Sequence, residues 1–141
     1  MMTASPFAAG PARAGHLYRQ VAVESQIDGH ADGHRLITML FDGFFEAVAQ
    51  ARGAHRSGDT AARSRAIGRA TAIVEEGLRA ALDVKAGGTL ARDLNELYAY
   101  VVKRLLQANL ATDEQALDEC VRLVQPLAEA WAAIRPQAIQ D

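Results

Sequence analysis

Cysteine is almost absent from this sequence of 141 residues, and the lone Cys120 excludes both an intramolecular disulfide and a cysteine-cluster zinc site. A single thiol fits a reducing compartment. Aromatic residues make up only 6% of the chain, so a core must be built from small and aliphatic side chains, which favours packed helices. An excess of either charge is also missing. The formal net charge is −2, and the 15 Lys and Arg are scattered, which leaves no basic footprint for nucleic acid or an anionic membrane. No apolar run approaches the ~20 residues of a membrane span, and no basic-then-apolar leader opens the chain. The expected location is cytoplasmic.

The motifs of catalysis are missing too. The four histidines, His16, His30, His34 and His55, all lie at or before position 55, and no Glu precedes a His by three. The paired Glu-x-x-His pattern of a di-iron bundle is therefore excluded. "KAGG" at 85–88 lacks the spacing of a phosphate-binding loop. Ser and His sit in predicted loops and pair into no nucleophile and base. The expectation is a protein that is not an enzyme and carries no cofactor.

One stretch invites a metal reading: "DGHADGH" at 28–34, with His30 and His34 four apart beside Asp28 and Asp32. Zinc needs three or four convergent ligands. Here one histidine precedes the predicted helix start and the other follows it, so no regular face forms. Two Asp-Gly turns leading into an Asp32 cap account for the same residues, and no metal site is expected. A histidine phosphotransfer domain is the alternative reading of a small bundle. It needs an exposed mid-helix histidine, whereas His34 and His55 fall at helix ends.

What the chain does have is length in its helical periodicity. Residues 1–31 read as a disordered N-terminus that ends in a short apolar arm, "LYRQVAVESQI" at 17–27. Residues 32–136 read as a bundle and 137–141 as a disordered tail. Four helices are predicted: 33–56, closed by Gly58; 60–84, capped by Asp59; 89–110, after the Gly87-Gly88 break; and a fourth ending near Pro136. "TDEQ" at 112–115 matches a capping box with Thr112 as cap. Pro126 deletes one backbone hydrogen bond inside the fourth helix and predicts a bend near Arg122, with the ring toward solvent. Long helices joined by short loops predict an all-α, antiparallel up-down four-helix bundle with a mobile N-terminal arm.

The apolar arcs are wider than a bundle core requires. The first helix carries Leu36, Leu40, Phe44, Ala47 and Ala51 on one stripe, and Ile37, Phe41, Phe45 and Val48 beside it. The third carries Leu90, Leu94, Leu97, Val101, Leu105 and Ala108, with Tyr98, Val102, Leu106 and Leu110 alongside. A core-facing stripe spans about 100°. The surplus predicts a surface for a partner's amphipathic helix, which the 17–27 arm could cover.

Five segments, "YRQVAVES", "LITMLFDG", "AIGRATAIVEEGLRAALD", "LNELYAYVVKRLLQAN" and "LAEAW", occur in the order and spacing of one family. Over residues 17–134 the chain resembles the flagellar secretion chaperones of flagellin, the FliS family. The resemblance implies a four-helix bundle that holds the disordered C-terminal segment of flagellin, blocks premature polymerisation and delivers it to the flagellar type III export gate. Partner-binding positions expected on that basis are Ile37, Leu40, Phe41, Tyr98, Val101, Val102, Leu105, Leu106 and Asn109, with Tyr18 and Val21 in the arm. Asn109 reads either as a ligand contact or as a cap on the third helix. Lys103 and Arg104 are expected to be solvated. A homodimer stays open. One departure stands out: relatives favour Ser-Pro at the start of the first helix, where this chain has Asp32-Gly33. Asp preserves a cap, but Gly costs roughly 1 kcal/mol of helix propensity, so fraying is expected.

Overall fold

The periodic stripes fold into four rods. In the computed structural model, residues 30–82 and 84–134 are described; the arm with Tyr18 and Val21 and the tail lie outside them. Helix α1 spans His30–Ser57, α2 spans Thr60–Ala72 and runs on as a π-helical segment over Ile73–Arg79, α3 spans Val84–Ala111, and α4 spans Glu114–Ala132. Consecutive rods pack side by side and α4 closes onto α1. Among the described residues no Cα of α1 comes within 8 Å of a Cα of α3, so those two stand diagonally across the bundle. The fold is the expected all-α up-down four-helix bundle.

Two of the connections are cut short by the same device. Asp59 N donates to Ala54 O at 2.9 Å and Gly58 N to His55 O at 3.2 Å, closing α1 around Gly58 at φ 77°. Asp59 then caps α2, its carboxylate accepting from Ala62 N at 3.0 Å. At the other link Asp113 N donates to Ala108 O at 3.1 Å. Thr112 occupies the left-handed position at φ 55°, where glycine is usual. The cap of α4 is therefore Asp113, not Thr112: its carboxylate accepts from Gln115 N at 3.0 Å and Ala116 N at 3.3 Å. Thr112 is consumed in reversing the chain, so it cannot also have the extended backbone of a cap.

Four further expectations change. Helix α1 begins at His30, so Asp32 and Gly33 lie inside its first turn rather than before it, and Gly33 is buried. The assigned helix α3 already starts at Val84, but Gly88, at φ 61° and ψ −139°, breaks it, and regular helix follows the glycine pair as expected. The second rod is not α-helical throughout. Its buried residues Ala66, Ala70, Val74, Leu78 and Leu82 recur at four, a spacing that drifts off one face at 3.6 residues per turn. Winding i→i+5 over Ile73–Arg79 corrects the drift and keeps Leu78 fully buried. Helix α4 passes through Pro126 as a single helix, with the proline half-buried rather than facing open solvent.

The core joins all four rods. Phe41 and Phe44 from α1, Ile67 from α2, Leu94 and Tyr98 from α3, and Leu117 and Trp131 from α4 are its larger members. Small residues, including Ala47, Ala51, Ala70 and Ala108, are buried among them.

Candidate partner-binding surface

The pole holding the start of α1 is pinned to the end of α4 by the histidine of the second Asp-Gly-His. The His34 ring stacks on Trp131 at 4.7 Å and 16°. His34 Nε2 donates to Trp131 O at 3.2 Å. In return Trp131 Nε1 donates to His34 O and to Thr38 Oγ1, each at 3.1 Å. Further along the same seam His55 Nε2 lies 3.8 Å from a Glu114 carboxylate oxygen. Both imidazoles are thus engaged between α1 and α4, which weighs against the phosphotransfer reading.

The same seam ends in ion pairs. Arg56 Nη2 donates to Glu114 at 2.5 Å, and Arg52 pairs with Asp118. The hydrogen bond from Arg56, with the attraction of the neighbouring cations, holds the Glu114 carboxyl below its usual range. On the α3–α4 seam Glu119 accepts from Tyr100 Oη at 2.7 Å and Arg104 Nε at 2.6 Å. These two bonds hold its carboxyl low as well. Arg104, expected to be solvated, is tied into this network instead, because antiparallel packing brings Glu119 level with it.

The expected partner-binding residues separate by burial. Ile37, Phe41, Tyr98, Val101 and Leu105 are buried in the core. Leu40, Val102 and Asn109 are half-buried, and Leu106 is 50% exposed. Asn109 neither caps α3 nor reaches into open solvent: its Oδ1 accepts from Ser64 Oγ at 3.1 Å and its carbonyl from Arg63 Nη2 at 3.1 Å. It braces α2 against α3.

Apart from Tyr100 on the α3–α4 seam, the large hydrophobic side chains exposed among the described residues fall at two places. On α1 these are Leu36 and Met39, Met39 at 59%. On α3 they are Leu106 and Leu110, Leu110 at 86%, with Val102 one turn earlier. Since α1 and α3 stand diagonally, the two patches do not share a groove; the second rod lies between them. The α1 patch sits at the pole of the π segment, where Leu40 meets Gly77. The α3 patch sits at the opposite pole, where Asn109 meets Ser64. The outer side of α2 between them exposes the small residues Ala61, Ser64 and Gly68 beside Arg65 and Arg69. A Cβ built on Gly68 would touch nothing. A chain segment could cross that face closely and rest an apolar group on each patch. The sequence carries the surplus of α1 and α3 but does not separate buried from exposed residues: the inner stripe is as apolar as the outer one, and phase alone does not tell which neighbour each meets. Leu110, at the end of α3, was marked only as part of the wide arc.

Among the described residues no helix is long and apolar enough to cross a membrane. No group of three or more His, Cys, Asp and Glu among them could hold a metal ion.

Known proteins resemble this chain in sequence. The family model described as flagellar protein FliS matches residues 14–138. The flagellar secretion chaperone FliS of Salmonella typhimurium is 46% identical over 121 residues, 86% of this chain and 89% of that one. FliSB of Pseudomonas aeruginosa is 41% identical, across 83% of this chain and 91% of its own. The Escherichia coli chaperone is 37% identical, across 88% and 92%. With its two exposed apolar patches carried on a four-helix bundle, this chain belongs to the FliS family of flagellar secretion chaperones.

Proposed function

We propose that this protein binds the disordered C-terminal segment of flagellin in the cytoplasm, prevents its premature polymerisation and delivers it to the flagellar export gate. It acts stoichiometrically and not as an enzyme. The observation that carries the reading is the paired exposure of Leu36 with Met39 and of Leu106 with Leu110 on a bundle whose core is already complete. A solvated bundle gains nothing from such leucines, whereas a disordered ligand needs wide apolar contact to offset its ordering entropy. Two patches on either side of the second rod suit a ligand long enough to span about 20 residues of helix, ~30 Å.

The test is co-purification and titration with a peptide from the flagellin C-terminus. The expected result is a complex of about 1:1 with a gain in ligand helicity by circular dichroism, without self-association of the chaperone in light scattering. Leu110→Ser should weaken binding at least tenfold and leave stability within about 0.5 kcal/mol, as befits an exposed site. Absence of binding at tens of micromolar would overturn the reading.

A further inference from the structure

Leu40 stands between the two roles open to an apolar residue of α1. It is half-buried and lies one turn from exposed Leu36 and beside exposed Met39. Its isopropyl group rests in a notch on the π segment. A Cβ added to Gly77 would fall 2.7 Å from Leu40 Cδ2 and 3.1 Å from Cδ1, so only glycine at 77 leaves room for the side chain in this pose. A second, reciprocal contact sits one turn along: a Cβ on Gly43 of α1 would lie 3.2 Å from Ile73 Cδ1 of the π segment. The two rods thus interlock, each placing an aliphatic side chain against the other's glycine.

The notch depends on the π winding. Four-residue spacing from Ala70 through Val74 and Leu78 to Leu82 turns those residues to the core and leaves Gly77 toward α1. The segment is fixed on its other side by Arg79, whose Nε donates to Asn95 Oδ1 at 2.7 Å and Nη1 to Glu75 at 2.6 Å. The wall of the notch is therefore tied to α3 through Arg79 and Asn95.

We infer that the Gly77 notch is an autoinhibitory latch: it withholds Leu40 from the α1 apolar patch in the free protein and yields it to the partner on binding. The inference rests on the proposed binding of a flagellin segment. Leu36 and Met39 alone make a small anchor. Rotation of Leu40 out of the notch adds a third aliphatic group one turn away on the same face. The partner gains that contact only after displacing the contact with Gly77, so affinity in the free state is reduced by the fraction of molecules in which the latch is closed.

Gly77→Ala closes the notch and expels Leu40. In a folded Gly77→Ala protein the flagellin C-terminal peptide should bind about tenfold more tightly, the worth of one additional aliphatic contact. Leu40→Ala in the same background should abolish the gain. The wild-type chain gives an independent reading by methyl-labelled NMR. Cross-relaxation between the Leu40 methyls and the Gly77 α-protons should be present in the free protein and lost when the peptide saturates it. Equal or weaker binding by folded Gly77→Ala, or persistence of the Leu40–Gly77 signal in the saturated wild-type complex, would overturn the latch. That second measurement decides the matter even where Gly77→Ala does not fold. A wild-type chain that binds no peptide fails the functional reading itself, and the latch falls with it; wild-type binding with an unchanged variant removes the latch alone.

Discussion

Replacing Trp131 by phenylalanine isolates the clasp between the two ends of the bundle. The indole is 1% exposed. Its N–H serves two acceptors, but the His34 carbonyl retains a second donor in Thr38 Oγ1 at 3.0 Å, so one net hydrogen bond of ~1 kcal/mol is lost. Shrinking the ring system inside a packed site adds ~1–2 kcal/mol of void and lost contact. Part of the stacking with His34 survives on a phenyl ring. The sum is a loss of ~2–3 kcal/mol. For a bundle of about 100 residues each kcal/mol moves Tm by about 4–5 °C, giving a fall of about 10 °C by circular dichroism. The loss should also be local. Hydrogen exchange in the first two turns of α1 should accelerate more than exchange in the α1–α2 turn, because Asp32-Gly33 gives that start little propensity of its own. His34→Ala should cost somewhat less, and the double variant should fall short of the sum by ~1 kcal/mol, since the two rings share one contact. A Tm change below about 3 °C with unchanged exchange at α1 would refute the claim that this clasp holds the helix start.

Burial pushes the Cys120 thiol up to about 12, and Sγ donates to Val101 O at 3.6 Å; thiol reagents at pH 8 should label the native protein only at the rate of unfolding, and rapid labelling without unfolding would contradict the packing. Glu114 and Glu119 are held below their ordinary value of 4.5, so the stability they supply is complete above that pH and is lost as pH falls through their lower folded values. Thermal unfolding between pH 7 and pH 3 should show this loss, and a Glu114→Gln/Glu119→Gln variant should show a flatter profile. Pro126→Ala restores a donor within an uninterrupted helix and should raise Tm by several degrees; a lower Tm would mean that the half-buried ring packs better than it disrupts.

Much of the architecture was legible because it rests on local chemistry. Gly58 closing α1, Asp59 capping α2 and the Gly87-Gly88 break all follow from residue type at one position. Where two residues competed for one role, type was insufficient. Thr112 and Asp113 are both good caps, and the winner was set by which one had to take the left-handed turn. The π segment left a signal in the unbroken spacing of four from Ala66 to Leu82, which a template of threes and fours absorbs without notice. The binding surface was legible only as a surplus. Ile37 and Leu36 are equally apolar, and their opposite fates depend on how α1 is rotated against α2 and α4. Asn109 and Arg104 took partners on other rods, and no spacing along the chain announces such contacts.

The two short reversals at Gly58-Asp59 and Thr112-Asp113 share a pole, and that pole also holds Leu106 and Leu110. Residues 30 and 134, the ends of the described bundle, both emerge at the opposite pole, beside the His34–Trp131 clasp. Ends that leave a domain close together are suited to circular permutation: a short linker from α4 back to α1 would leave every helix pairing intact. New ends could then be opened at Gly58-Asp59, where two residues span the gap. A fusion joined directly at residues 30 or 134 would be directional, because it anchors one pole and presents the Leu106–Leu110 patch outward.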